Sequence, residues 1–139
     1  MPELRMLLYV SGAFSLVLGA VHFFLPILLD FRTAIPLEGA ALKPLRLGVF
    51  RYATTRRDVV GIAWIMNHAA SYVLVTLGLL DLFWTRWLDT PLGILLSLWI
   101  AGWWLVRAAS QLYLGKRSGD WLILAWFAAL GLLHIAVVL

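Results

Sequence analysis

Three histidines and one arginine lie inside long apolar runs of this chain, where a polar side chain costs free energy unless something partners it. Counting from the nearer charged end of each run at about 1.5 Å per helical residue, His22 sits roughly 10 Å deep, His68 roughly 14 Å and Arg107 roughly 10 Å. Gln111 follows Arg107 at i+4, Asn67 adjoins His68, and Ser71 and Tyr72 follow His68 at i+3 and i+4. Three helices thus bring polar groups to one level. The candidate ligand-binding set is His22, Asn67, His68, Tyr72, Arg107 and Gln111. His134, near roughly 20 Å in the last run, stands apart.

Arg107 is the costliest of these groups, at about 2.5–3.5 kcal/mol for arginine at the centre of a membrane helix. No acidic residue falls inside any of the runs as bounded below. Its expected partners are Asp30 or Asp58 at helix ends, Gln111, backbone carbonyls, or an anion outside the chain. The missing carboxylate points to a ligand such as a quinone carbonyl, a lipid phosphate, a haem propionate or an acidic substrate. His22 and His68 could hydrogen-bond a quinone, or serve as the two axial ligands of a haem b, the one metal role open to them. One histidine per helix carries no spacing motif. The alternative is that neutral imidazoles bond across helices to Ser15, Asn67, Tyr72 or backbone carbonyls and specify packing. Without an intramembrane carboxylate, the serines at 11, 15, 71, 97 and 110 have no Ser-His-Asp triad to join. Neither paired carboxylates nor a glycine-rich phosphate loop is present.

The elements that must position these groups follow from composition. Of 139 residues, 63% are hydrophobic and 13% charged, with a mean hydropathy of +0.94, whereas soluble domains are about 25% charged. Met6–Leu29, Val59–Leu80, Pro91–Leu114 and Trp121–Leu139 are each long enough to cross a hydrocarbon core of roughly 30 Å. The expectation is an all-α polytopic membrane four-helix bundle forming one domain. The first run exceeds the usual 7–15 apolar residues of a signal peptide and reads as a retained helix. There is no cysteine, which excludes disulfides, thiolate metal sites and thiol catalysis.

Arg32, Lys43, Arg46, Arg51, Arg56, Arg57, Lys116 and Arg117 fall on one side of these spans, and only Arg5 and Arg86 on the other. By the positive-inside bias, the loop over residues 30–58 is cytoplasmic and both termini face outward, into the periplasm if this is a bacterial inner membrane. The net charge of +4 then serves orientation and anionic lipid headgroups rather than nucleic acid. Within the loop, Pro44 can start a short interfacial helix with Leu45, Val49 and Tyr52 on one side and Arg46 and Arg51 elsewhere. Such a segment suits the headgroup boundary, or a partner subunit.

Small residues repeat every fourth position at Ser11, Ser15 and Gly19, at Gly93, Ser97 and Ala101, and at Ala125 and Ala129. Such stripes permit close helix approach. His22, three residues past Gly19, shares the first stripe and should point inward. Trp84, Trp87 and Trp121 suit an interfacial aromatic belt, and the deeper Trp64, Trp99, Trp103, Trp104 and Trp126 read as packing residues.

The run from Gly19 to Pro36, GAVHFFLPILLDFRTAIP, resembles the first-helix signature of DoxX-like small membrane proteins. There a G-x-x-H-F-x-x-P run closes the first of four helices and an I-P step follows. The matching residues are Gly19, His22, Phe23, Pro26, Ile35 and Pro36. The second helix departs, with Asn67-His68 where that family tends to carry a small residue and a glutamate, and the long loop is unlike the family's. The resemblance implies a redox-accessory role, since some members are subunits of quinol-oxidising systems, and it carries over only His22. The expectation is an accessory or redox-linked subunit, associated with other membrane subunits or with itself, that holds a quinone-like ligand among the first three helices. The alternatives are a structural subunit, a small transporter or lipid-handling protein, and a haem b-binding subunit. Four spans without an internal repeat or broken helices argue against a self-sufficient transporter.

Overall fold

The computed structural model describes residues 2–39, 41–114 and 117–139; Lys116, counted above among the cytoplasmic cations, lies outside them. In chain order the elements are helix α1 (Pro2–Leu28), the single turn α2 (Phe31–Ala34), strands β1 (Leu45–Leu47) and β2 (Phe50–Tyr52), then helices α3 (Arg56–Leu82), α4 (Pro91–Ser110) and α5 (Ser118–Ala136). Short 3-10 turns at Trp84–Arg86 and Gln111–Tyr113 follow α3 and α4. α1, α3, α5 and α4 with its 3-10 extension are each long and apolar enough to cross a membrane. Local chemistry sets their ends. The Thr55 backbone N–H and hydroxyl donate to Asp58 Oδ2 at 2.7 and 2.8 Å while Thr55 Oγ1 accepts from the Asp58 N–H, a reciprocal cap that starts α3. Thr90 Oγ1 accepts from the Gly93 N–H at 2.9 Å, with Pro91 at the first position of α4.

The fold divides into two compact units, Met1–Ser15 with Leu77–Leu139, and Leu16–Thr76. In the first, Leu8, Leu88 and Val137 form a buried cluster flanked by Trp84, Trp87 and Leu133. The expected stripe on α4 is realised, with Gly93, Ser97 and Ala101 all buried and Trp104 and Ala108 extending it. The expected stripe on α5 is not. Ala125 and Ala129 are exposed, and the buried face is Phe127, Leu130, Gly131 and His134. These fall at i, i+3, i+4 and i+7, so a full helical face buries bulk as well as small residues. Gly131 supplies the close approach: a Cβ there would lie 3.2 Å from the Ala101 carbonyl oxygen. Phe127 meets Trp104 with ring centroids 5.3 Å apart.

In the second unit, the Gly19 backbone meets α3 so closely that a Cβ would fall 2.9 Å from a Val75 methyl. Ser71 Oγ donates to the Gly19 carbonyl at 2.6 Å. The segment expected as an interfacial helix is instead an antiparallel hairpin pairing Leu45 with Tyr52, Arg46 with Arg51 and Leu47 with Phe50. Gly48 has φ 58 at the first position of the two-residue turn, the sign a type II′ hairpin turn requires there. Around it, L-R-L and F-R-Y alternate apolar and cationic residues with the period of a strand, and this pattern overrides the start signal at Pro44.

Candidate functional site

Two sets of polar side chains stand out, one in each unit. In the first unit α3 runs past Leu80 to Leu82, so Asp81 lies in its final turn rather than opening a loop. This corrects the expectation that the spans hold no carboxylate. Asp81 and His134 both have 0% side-chain exposure, and Asp81 Oδ2 lies 3.4 Å from His134 Nε2. On the other side of the ring, His134 Nδ1 lies 3.3 Å from Ser97 Oγ, and the Ser97 hydroxyl donates to the His134 carbonyl at 2.8 Å. Gly12 of α1 packs on the same turn, where a Cβ would come within 2.9 Å of the Gly78 carbonyl oxygen and 3.1 Å of Asp81 Cβ.

The protons of this set can be counted. Ser97 has one hydroxyl hydrogen, committed to the carbonyl, so its oxygen can only accept from Nδ1–H. Nε2 and Asp81 Oδ2 face each other at 3.4 Å without a hydrogen bond between them. The residue types of an acyl-transfer triad are thus assembled, without its chemistry: the serine proton points away from the histidine, and Ser97 is buried. Both Asp81 oxygens, His134 Nε2 and the buried Ser11 Oγ have no hydrogen-bond partner among the described residues.

Arg107 and Gln111 also belong to this unit. Arg107 falls in the last turn of α4, where the helix dipole favours a cation. Its guanidinium lies 5.5 Å from the centroid of the Phe127 ring, an aromatic contact worth about 0.5–2 kcal/mol. Gln111 is buried, with Oε1 unpartnered among the described residues. The contact found for Arg107 is this cation–π contact rather than a hydrogen bond to Gln111.

The second unit holds His22, Asn67, His68 and Tyr72. Pro26 inside α1 has no N–H to give the His22 carbonyl. The Asn67 side-chain amide donates to that carbonyl, supplying from α3 the bond that proline removes, as an apolar surrounding demands. Asn67 is thereby a backbone partner. The His22 ring turns back on its own helix, Nδ1 lying 3.1 Å from the Leu18 carbonyl. His68 sits between aromatic rings, with centroids 5.2 Å from Phe23 and 5.6 Å from Trp64. Tyr72 is 76% exposed, on a different face from the buried Ser71.

One turn before His68 the same helix lines a cavity of about 560 Å³, bounded by Arg32, Leu37, Arg57, Val60, Gly61 and Trp64. Arg57, Val60, Gly61 and Trp64 recur at i, i+3, i+4 and i+7, with His68 at i+11, so one stripe runs from a guanidinium over apolar floor and indole to an imidazole. Arg57 stands at the positive end of the α3 dipole, which does nothing to neutralise it. Neither Arg32 nor Arg57 takes part in an ion pair among the described residues. The arrangement suits a ligand with a polar, electron-rich head and an apolar body. Sequence reasoning singled out His68 but missed the stripe leading to it, although its spacing was present.

No family profile, curated protein or solved structure matches this chain.

Proposed function

We propose that this chain is a small integral membrane protein holding a lipophilic, quinone-like ligand along α3, as an accessory or redox-linked subunit of a larger membrane assembly. The single observation that carries the reading is the cavity lined by Arg32, Arg57 and Trp64, whose indole in turn meets the His68 ring. Guanidinium N–H groups donate strongly to quinone carbonyls or to an anionic head, and the indole and imidazole offer flat faces to a ring. The likeness of the Gly19–Pro36 run to DoxX-like proteins points the same way. The charge bias supports a cytoplasmic 30–58 loop, from which surface the head would enter.

Gly61 provides the test. A Cβ built there meets nothing within 4 Å, so Gly61→Leu starts in open space, extends into the cavity and replaces a poor helix former with a good one. Protein purified in a mild detergent is extracted with organic solvent, and quinone is measured by its oxidised-minus-reduced absorbance. The expected result is near-stoichiometric quinone in the wild type and loss in Gly61→Leu with unchanged circular dichroism. Quinone absent from the wild type, or retained equally by the variant, would overturn the reading, and a Soret band would replace quinone with haem b.

The buried Asp81–His134 pair favours a second reading, a small proton-linked transporter, because an intramembrane ionisable pair marks proton pathways. Proteoliposomes carrying an internal pH dye would show proton uptake in the wild type that Asp81→Asn abolishes. Identical uptake in the two would remove this alternative.

A further inference from the structure

We infer that the β1–β2 hairpin is a tip-first anchor for an anionic lipid surface. The hairpin is amphipathic in an unusual way: Val49 and Phe50 lie at the tip and Leu45 and Tyr52 pair at the base, while its two arginines form a direct cross-strand pair. Exposure is greatest at the turn, with Val49 at 94% and Phe50 at 75%, and lower toward the base, with Tyr52 at 61% and Leu45 at 51%. A β-branched residue and a phenyl ring held at the tip of a turn meet little water-excluding protein and gain by entering hydrocarbon, by about 25 cal/mol per Å² of apolar area buried. Arg51 lies two residues from Val49, roughly 7 Å along the strand. With the tip below the headgroups, both guanidiniums therefore stand at phosphate level and Tyr52 just above, in the zone tyrosines favour.

The charge arrangement selects the occupant. Like charges directly opposite on a hairpin are destabilising, so Arg46 and Arg51 oppose the fold in the absence of an anion between them. A phosphodiester accepting from both guanidiniums removes that penalty and adds charge-assisted hydrogen bonds. Arg51 also borders a hollow of about 520 Å³ with Pro44 and Thr54, which leaves room for a headgroup beside the strand. Each basic residue near an anionic leaflet strengthens attachment roughly fivefold, so the pair should favour the inserted hairpin on the order of 30-fold over a zwitterionic surface. This inference is independent of the quinone cavity and needs only the spans.

The cysteine-free chain allows a clean test. A spin label is attached to the full-length Val49→Cys protein, held one copy per nanodisc, in phosphatidylcholine alone or with about one third phosphatidylglycerol, an anionic fraction that sets the surface potential. Collision of the label with oxygen, which concentrates in hydrocarbon, is compared with collision with a water-soluble nickel chelate. The expected result is a shift to the oxygen-accessible state in anionic discs that Arg46→Gln with Arg51→Gln abolishes, at unchanged far-UV circular dichroism. A label that stays nickel-accessible in anionic discs would overturn the inference. So would one shielded equally in both lipids, which would mean that the chain itself covers the hairpin, or one shielded only at two copies per disc, which would mean a second copy does.

Discussion

Removing His134 should cost more stability than removing Asp81, although the two groups face each other. Both are fully buried, with Nε2 and Oδ2 at 3.4 Å. Asp81→Ala leaves the buried Nε2 without the carboxylate it faces, a loss of about 1–3 kcal/mol. His134→Ala removes the imidazole from a carboxylate whose two oxygens have no hydrogen-bond partner among the described residues, and also opens a void against Ser97. An uncompensated buried charge of this kind costs about 3–5 kcal/mol, less if the carboxyl takes up a proton. Replacing both by apolar residues of similar volume, Asp81→Leu with His134→Phe, should return the protein to within about 1 kcal/mol of wild type, because the desolvation cost disappears with the charges. The assay is reversible unfolding in mixed dodecylmaltoside and dodecyl sulfate micelles, followed by far-UV circular dichroism. Equal losses for the two single variants, or a double variant as unstable as His134→Ala, would refute the buried-charge account and leave simple packing.

Asn67→Leu should destabilise by about 1 kcal/mol, since it removes the cross-helix amide that donates to the His22 carbonyl, and by less in a Pro26→Ala background where the helix N–H returns; a double-mutant cycle on the same unfolding assay reads the coupling. Gly93→Ala places a Cβ 1.9 Å from the Trp87 carbonyl oxygen, so it should cost about 3 kcal/mol or more and expose the 84–90 turn to limited proteolysis, whereas Gly102→Ala, with nothing within 4 Å, should stabilise slightly. A cysteine inserted after Glu38 should react with a membrane-impermeant maleimide only in inverted vesicles; labelling in intact cells would reverse the proposed orientation.

The four long helices were legible because length and apolarity alone mark such segments. Their ends were less so. Asp81 was placed outside its helix because a carboxylate reads as a boundary in lipid. What admits it to α3 is His134, a residue on another helix that no local pattern connects to it. The interfacial segment failed for a different reason. Leu45, Val49 and Tyr52 lie near helical spacing, yet the L-R-L and F-R-Y runs flanking Gly48 alternate with period two, and the stronger local signal was the strand one. Asn67 enters the candidate set as a neighbour of His68, and the structure also gives it a bond to the His22 carbonyl. Pro26, four residues beyond His22, has no N–H for that carbonyl, but which helix brings a donor depends on packing.

Arg107 and Asp81 show why an unpaired charge in an apolar run is weak evidence of a ligand. Each is accommodated by protein: Arg107 by its helix terminus and the Phe127 ring, Asp81 by a histidine. A neighbouring helix can offer an aromatic face or an imidazole, and neither looks like a counter-ion in a sequence. Arg32 and Arg57 differ: they border an open cavity with no carboxylate among its lining residues, and the proposed ligand site rests on that. It is space beside an uncompensated charge, rather than the charge alone, that distinguishes a site awaiting a ligand from a residue the fold has already satisfied.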